Sequence, residues 1–108
     1  GFRFDNSSFT YICLSIHAFY VYPHNAKWND VAGIYIFCSV QNDRWIPHYI
    51  GQASSFSDRL SNHERFREAL ALGMTHIHAL TVPAQADRDR IEEHLIQSYQ
   101  PRLNTLLK

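Results

Sequence analysis

The stretch GIYIFCSVQNDRWIPHYIGQA, Gly33 to Ala53, holds two runs of β-branched and aromatic residues around a polar break. Gly33 to Val40 and His48 to Ala53 have strand composition. Between them Gln41-Asn42-Asp43-Arg44 supplies turn chemistry, which predicts an antiparallel hairpin with a long loop. Working upstream, Pro23 to Asp30 is a turn-rich connector carrying Lys27 and Trp28, and residues 9–22 read as strand. Residues 1–8 are polar and read as a loose end. Working downstream, Ser54, Ser55 and Ser57 offer N-caps for a helix over about 56–72. Its apolar positions are Phe56, Leu60, Phe66, Ala69 and Leu70, and Gly73 is a natural stop. Thr75 to Val82 has strand composition and ends at Pro83. A second helix follows over about 84–99, with Ile91, Leu95 and Tyr99 at four-residue steps, and Pro101 ends it. The order β-β-α-β-α implies an α/β (α+β) fold, a small three-stranded, mostly antiparallel sheet flanked by helices, with an N-terminal extension.

With 108 residues the chain fits one compact domain, and 45% apolar with 14% aromatic residues can fill a core. Ten Lys and Arg balance ten Asp and Glu, which argues against a generic nucleic-acid coating protein. It leaves room for an enzyme with one local basic site. Eight of the ten cations are Arg, whose planar fork suits phosphate or carboxylate. The apolar-rich stretch from Tyr11 to Tyr22 is too short to span a bilayer, and no secretory signal pattern is legible. The expected setting is therefore the cytoplasm, away from a membrane. Cys13 and Cys38 cannot make a zinc site alone and read as reduced, buried thiols. Asn6-Ser7-Ser8 matches a glycosylation sequon, with no signal to support its use.

Three groups of side chains could carry chemistry. Arg59, His63 and Arg67 fall at i, i+4 and i+8, so one helix would line them along a face. In a purely structural reading they are solvated and paired with Asp58, Glu64 and Glu68. Glu92 and Glu93 point about 100° apart on a helix, so one can hold a metal while the other is solvated. His76 and His78 alternate on a strand and read as a half-exposed face, with no third ligand at metal-binding spacing.

Gly33-Ile34-Tyr35 followed by Tyr49-Ile50-Gly51 resembles the two signature tripeptides of the GIY-YIG nuclease family. Arg59, ten residues after Tyr49, stands where the family places its helix arginine, and His63 follows one turn later. Some relatives carry Tyr at that place. The segment from Ile91 to Asn104 resembles the closing signature, in which a helix Glu precedes Pro-X-X-Asn. By that spacing Glu92 corresponds to the metal-binding Glu and Asn104 to the closing Asn. The resemblance covers about residues 32–107 and is nearest to the nuclease module of bacterial nucleotide excision repair and small stand-alone relatives. Gln52 departs from it, since several relatives have Lys after the second tripeptide.

The resemblance implies a nuclease domain over 32–108, preceded by an extension, 1–31, of unknown role packed on the core. It implies a hydrolase: a metal-dependent endonuclease acting on DNA phosphodiesters, with Glu92 holding Mg²⁺ or, in its place, Mn²⁺. Arg59 would stabilise the charge developing on phosphate. Tyr35 would take the proton of the attacking water, its pKa lowered by His63, Arg59 and the metal, and Tyr49 is the alternative base or positions water. Asn104 would orient a side chain or fix the chain end against the sheet. Gln52 and Arg67 are candidate nucleic-acid contacts, while Gly33 and Gly51 answer backbone requirements. DNA is the implied partner, with a separate DNA-binding domain, a partner protein or a homodimer helping the neutral chain to find it. The alternative is a module that keeps the fold and binds nucleic acid or protein without turnover.

Overall fold

The central hairpin forms, but its turn is short. Asn42 and Asp43 lie at φ 54° and 62°, and Gln41 pairs directly with Arg44. Two successive left-handed residues match the twist of the flanking strands, and Asn and Asp tolerate that conformation. A two-residue turn thus replaces the long loop, and the second strand begins at Arg44 rather than His48.

The computed structural model describes residues 8–12 and 16–105. In chain order its elements are β1 (Ser8–Ile12), β2 (Ile16–Pro23), β3 (Gly33–Gln41), β4 (Arg44–Ala53), α1 (Phe56–Leu60), α2 (Phe66–Ala71), β5 (His76–Thr81), α3 (Gln85–Tyr99) and α4 (Arg102–Thr105). The strands make one sheet in the order β1-β2-β5-β3-β4, antiparallel at every pairing. The expected three-stranded sheet is β3, β4 and β5; it is widened by two strands from the segment read as one strand over 9–22. β2 pairs with the side of β5 that β3 leaves open, where backbone donors and acceptors would otherwise lie unpaired. At the opposite edge β4 tolerates Pro47, because an edge strand can forgo an N–H, and the register slips beside it between Phe37 and Cys38.

Strand alternation sorts the side chains onto two faces. On one face Ile91 and Leu95 of α3 pack on Phe19, Ile34, Ile36 and Ile50. On the other, Phe56 and Leu60 of α1 and Ala69 of α2 cover Tyr35, Phe37 and Tyr49. Burying each of the larger side chains contributes about 1.5–3 kcal/mol.

Two expectations need correction. The single helix over 56–72 is interrupted after Leu60, because Ser61, Asn62 and His63 are weak helix formers whose side chains compete for backbone groups. His63 does so directly: its Nδ1 accepts the Arg65 backbone N–H at 2.9 Å. The break removes Arg59, His63 and Arg67 from a common helix face. His76 and His78 do not form a half-exposed pair either. His78 is fully buried, and Trp45 lies edge-on to both rings at centroid distances of 4.4 Å and 5.3 Å. Burial lowers the His78 pKa to about 3, so it is a neutral core residue. Cys38 is a buried thiol; Cys13 and Asn6-Ser7 of the sequon lie outside the described residues. Among those residues no helix is long and apolar enough to cross a membrane.

Candidate active site

The site is built around β4, and two glycines make room for it. Gly51 pairs with Tyr35 across the hairpin. A Cβ on Gly51 would lie 2.4 Å from the Tyr35 hydroxyl oxygen, so the bare backbone lets the Tyr35 ring lie across the edge strand. A Cβ on Gly33 would meet the Leu80 carbonyl oxygen at 2.1 Å and Phe56 Cζ at 2.7 Å. Gly33 therefore permits the close approach of β3 to β5 and α1.

On the face covered by α1 and α2, Tyr35, Tyr49, Phe37 and His63 form one aromatic cluster. His63 stands edge-on to all three rings at 4.9–5.4 Å. Its Nε2 is 2.7 Å from the Tyr35 hydroxyl. Because Nδ1 accepts the Arg65 N–H, the neutral ring carries its hydrogen on Nε2 and donates it to Tyr35. The Tyr35 hydroxyl hydrogen is then available to an acceptor other than His63. Burial, aided by the Arg59 charge, lowers the His63 pKa to about 4, so this neutral form holds at pH 7.

Tyr35 itself is pushed the opposite way from the expectation. Burial raises its pKa above the usual phenol value, and neighbouring Tyr49 adds to the rise. The Arg59 guanidinium pulls it down without overcoming burial. Tyr49 is raised too, again chiefly by burial, with Glu64 and Glu92 contributing and Arg59 opposing. In the free protein, then, both phenols are protonated at neutral pH.

Arg59 lies in the last turn of α1, beside Tyr35, with its fork turned onto Glu64, Nη1 to Oε1 at 2.7 Å and Nη2 to Oε2 at 2.8 Å. Hydrogen bonding to Arg59 is the main reason the Glu64 pKa falls to about 2. The geometry is bidentate, but Glu64 is exposed, so an incoming anion can compete with it.

The other half of the site lies on the α3 side of β4. Glu92 is half-buried, and its Oε1 accepts from Gln52 Nε2 at 2.8 Å. The same nitrogen donates to Asp89 Oδ1 at 2.8 Å. Gln52 Oε1 in turn accepts from Gln85 Nε2 (2.8 Å) and Arg88 Nε (3.3 Å), so the whole side chain is engaged. Burial raises the Glu92 pKa; the Gln52 bond opposes this and the Asp89 charge reinforces it. Such a carboxylate gains from a cation. Among the described residues no three His, Cys, Asp or Glu gather closely enough to form a metal cage. Mg²⁺ needs none, since it binds through one or two carboxylates and completes its shell with water and phosphate. Glu92, with Asp89 one helical turn before it, fits that mode.

Asn104, on α4, clips the chain end to the sheet. Its Oδ1 accepts the Ile50 N–H at 2.8 Å and its Nδ2 donates to the Ile50 carbonyl at 2.9 Å. Of the two roles open for it, the geometry matches fixation of the chain end.

Tyr35, Tyr49, Arg59 and His63 therefore meet on one face, with Glu92 near enough across β4 to act on Tyr49. Arg67 is exposed and lines a groove beside His63, and Glu93 is exposed. Two residues were not singled out from the sequence. Asp89 carries a legible signal, three residues before Glu92 and so on the same helix face. Arg88 carries none: it is buried and binds the Val82 and Pro83 carbonyls at 3.1 Å and 2.7 Å, holding the turn into α3.

No protein-family model matches the chain, and no curated protein matches it in sequence. Its fold does have solved counterparts. The N-terminal GIY-YIG endonuclease domain of UvrC from Thermotoga maritima, bound to its catalytic divalent cation magnesium, aligns with a TM-score of 0.58 at 24% identity, covering 69% of this chain and 84% of that one. A variant of that domain with one Asn replaced by Ala, bound to its catalytic divalent cation, aligns with the same score and identity over 69% and 83%. A third, with a Tyr replaced by Phe, scores 0.57 at 22% identity over 69% and 83%. The chain has the GIY-YIG fold.

Proposed function

We propose that this chain, having the fold of GIY-YIG endonuclease domains, is itself a divalent-metal-dependent endonuclease that hydrolyses DNA phosphodiester bonds. The observation that carries this reading is the convergence of Tyr35, Tyr49, Arg59 and His63 at one edge of the sheet, with the burial-strained carboxylate of Glu92 across β4.

In this reading Glu92 holds Mg²⁺, with Mn²⁺ as a substitute, and Gln52 orients it through the shared amide. When bound there the cation supplies Lewis-acid polarisation of the phosphate and eases departure of the 3′ oxygen. Arg59 exchanges Glu64 for two non-bridging phosphate oxygens, which offer the same planar pairing and gain charge in the transition state. Tyr35 directs its free hydroxyl hydrogen toward the reacting centre while accepting from His63. For Tyr35 to act as a base its proton must leave first, and Arg59 together with the His63 N–H stabilises the phenolate. Tyr49 is the other base, or holds the water. His63, neutral and fixed by the Arg65 backbone, sets the direction of the Tyr35 hydroxyl. Asn104 holds β4 in place. Residues 32–108 form the catalytic unit, and the strands before it complete its sheet. The neutral chain needs a separate DNA-binding domain, a partner protein or a second copy for tight binding.

The test is a cleavage panel with supercoiled, linear, branched and single-stranded DNA in Mg²⁺, Mn²⁺ or EDTA. Metal-dependent cutting that disappears in Arg59→Ala and Glu92→Gln supports the assignment. The non-catalytic module is the second reading, favoured by Glu64 on both Arg59 nitrogens and Gln52 on Glu92. Salt-dependent binding without cleavage of any substrate would establish it.

A further inference from the structure

Two adjoining hollows lie on the face of the sheet that carries Tyr35 and Tyr49. The larger, about 520 Å³, runs from His63 along the 61–67 segment to the 24–28 connector. The smaller, about 220 Å³, opens over β2 and shares Lys27 and Trp28 with the first. Three features of this surface need an explanation. In a chain with as many acids as bases, no carboxylate among the described residues lines either hollow. Lys27 lines both and Arg67 the larger, and among the described residues neither forms an ion pair. Finally, Tyr20 and Tyr22 are 56% and 36% exposed, unlike the buried aromatic residues of the same face.

The register links these features to the catalytic residues. Tyr20, Ala79 and Tyr35 lie in one row across β2, β5 and β3, and Tyr22, Ile77 and Phe37 lie in the next. Tyr20 and Tyr22 therefore share the Tyr35 face, two residues apart and so roughly 7 Å along the strand. Tyr22 also meets Trp28 edge-on at 5.0 Å, which joins the strand to the connector that carries Lys27.

We propose that this surface binds an unpaired stretch of the nucleic-acid strand flanking the phosphate to be cut, with bases stacked on Tyr20 and Tyr22 and phosphates on Lys27 and Arg67. The proposal rests on the nuclease reading of the neighbouring site and names its substrate class. Acid-free walls and unpaired cations match a polyanion. Exposed aromatic rings select the unpaired form, because the base faces of a duplex are already stacked and only a single strand offers them to a protein. The connector would then make the N-terminal segment a substrate-reading element.

The test measures binding apart from cutting. Fluorescence anisotropy in EDTA, where no cleavage occurs, would follow labelled oligo(dT) and a blunt duplex of equal length on the full chain. Oligo(dT) is expected to bind at least about tenfold tighter than duplex. Tyr20→Ala with Tyr22→Ala should weaken oligo(dT) about tenfold or more, while the paired Phe variants keep wild-type affinity because the rings remain. Lys27→Ala with Arg67→Ala should make the salt dependence shallower. Equal affinity for duplex, or an unchanged dissociation constant in the Tyr-to-Ala variant with its circular dichroism spectrum intact, overturns the proposal. The nuclease reading fails separately: in that case oligo(dT) binds as described and no metal brings about cleavage.

Discussion

On the α1 side of β4, Tyr35, Tyr49 and His63 are wedged among Phe37, Phe56 and Leu60, and their directions follow from packing. On the α3 side, Glu92 is held by a single amide, Gln52, shared with exposed Asp89 and Gln85. One half is rigid and largely dry; the other is polar and exchangeable. A phenol and an imidazole need fixed orientation to handle a proton, whereas a metal ligand must let water and phosphate enter. Burial shifts His63 down and Glu92 up, with opposite consequences for stability as pH changes, and the experiments below probe one half or the other.

The largest effect is expected from Arg59→Ala and Glu92→Gln. In the proposed reading each should lower the cleavage rate by about 10²–10³-fold, Arg59 because it faces the charge developing on phosphate and Glu92 because it would hold the cation. Plasmid nicking in Mg²⁺ measures it, and wild-type rates in both variants would refute the site. Gly51→Ala attacks only the packed half. Its Cβ must displace the Tyr35 ring, so denaturant unfolding should show a loss of about 1–3 kcal/mol alongside slower cleavage. An unchanged midpoint would mean that the packed half yields as readily as the polar one.

The pH dependence separates His63 from Glu92 by sign. The folded His63 pKa, about 4, lies below the ordinary 6.5, so the unfolded chain binds the proton more readily between those values. Stability should fall on the order of 2 kcal/mol as pH drops from 6.5 to 4, with His78 contributing in the same direction. His63→Gln should flatten part of that slope in thermal melts. Glu92 runs the other way. Its folded pKa is raised, so its contribution is present below the ordinary carboxylate value and fades as pH rises through the folded one. Asn104→Ala should lose about 1–2 kcal/mol by leaving the Ile50 backbone groups without their partner. The smallest effect is Glu92→Gln on stability at pH 7 without metal, a gain of a few tenths of a kcal/mol as the desolvated charge is removed. A loss there would show that the Gln52 bond outweighs the burial it opposes.

Much of this was legible in the chain. The hairpin, β5 and α3 follow from composition and punctuation, because Gly33, Pro83 and Pro101 stand at or just beyond their ends. The resemblance to the GIY-YIG signatures is what groups Tyr35, Tyr49, Arg59, His63 and Glu92, since composition and spacing alone leave each open to a purely structural reading. The misreadings have two causes: the tight turn at Asn42-Asp43 and the helix break at Ser61 to His63 are local, whereas the others depended on partners distant in sequence. The helix over 56–72 has acceptable periodicity, but His63 turns back onto the Arg65 N–H while its ring fills the Tyr35 cluster. His78 has the alternation of a half-exposed residue, and Trp45 covers it from another strand. Asp89 and Arg88 stand out only through their partners, Gln52 from β4 and the Val82 carbonyl.

The sequence by itself determined which residue types stand where, hence the hairpin, the order of the elements and the identity of the polar groups around the site. Only the tertiary structure decided their protonation and direction. Local pattern records what a side chain is, but desolvation and hydrogen bonding depend on what surrounds it in space. Tyr35 reads as a base whose pKa nearby cations would lower; once buried against Phe37 and Tyr49, the same phenol is held protonated, and His63 donates to it.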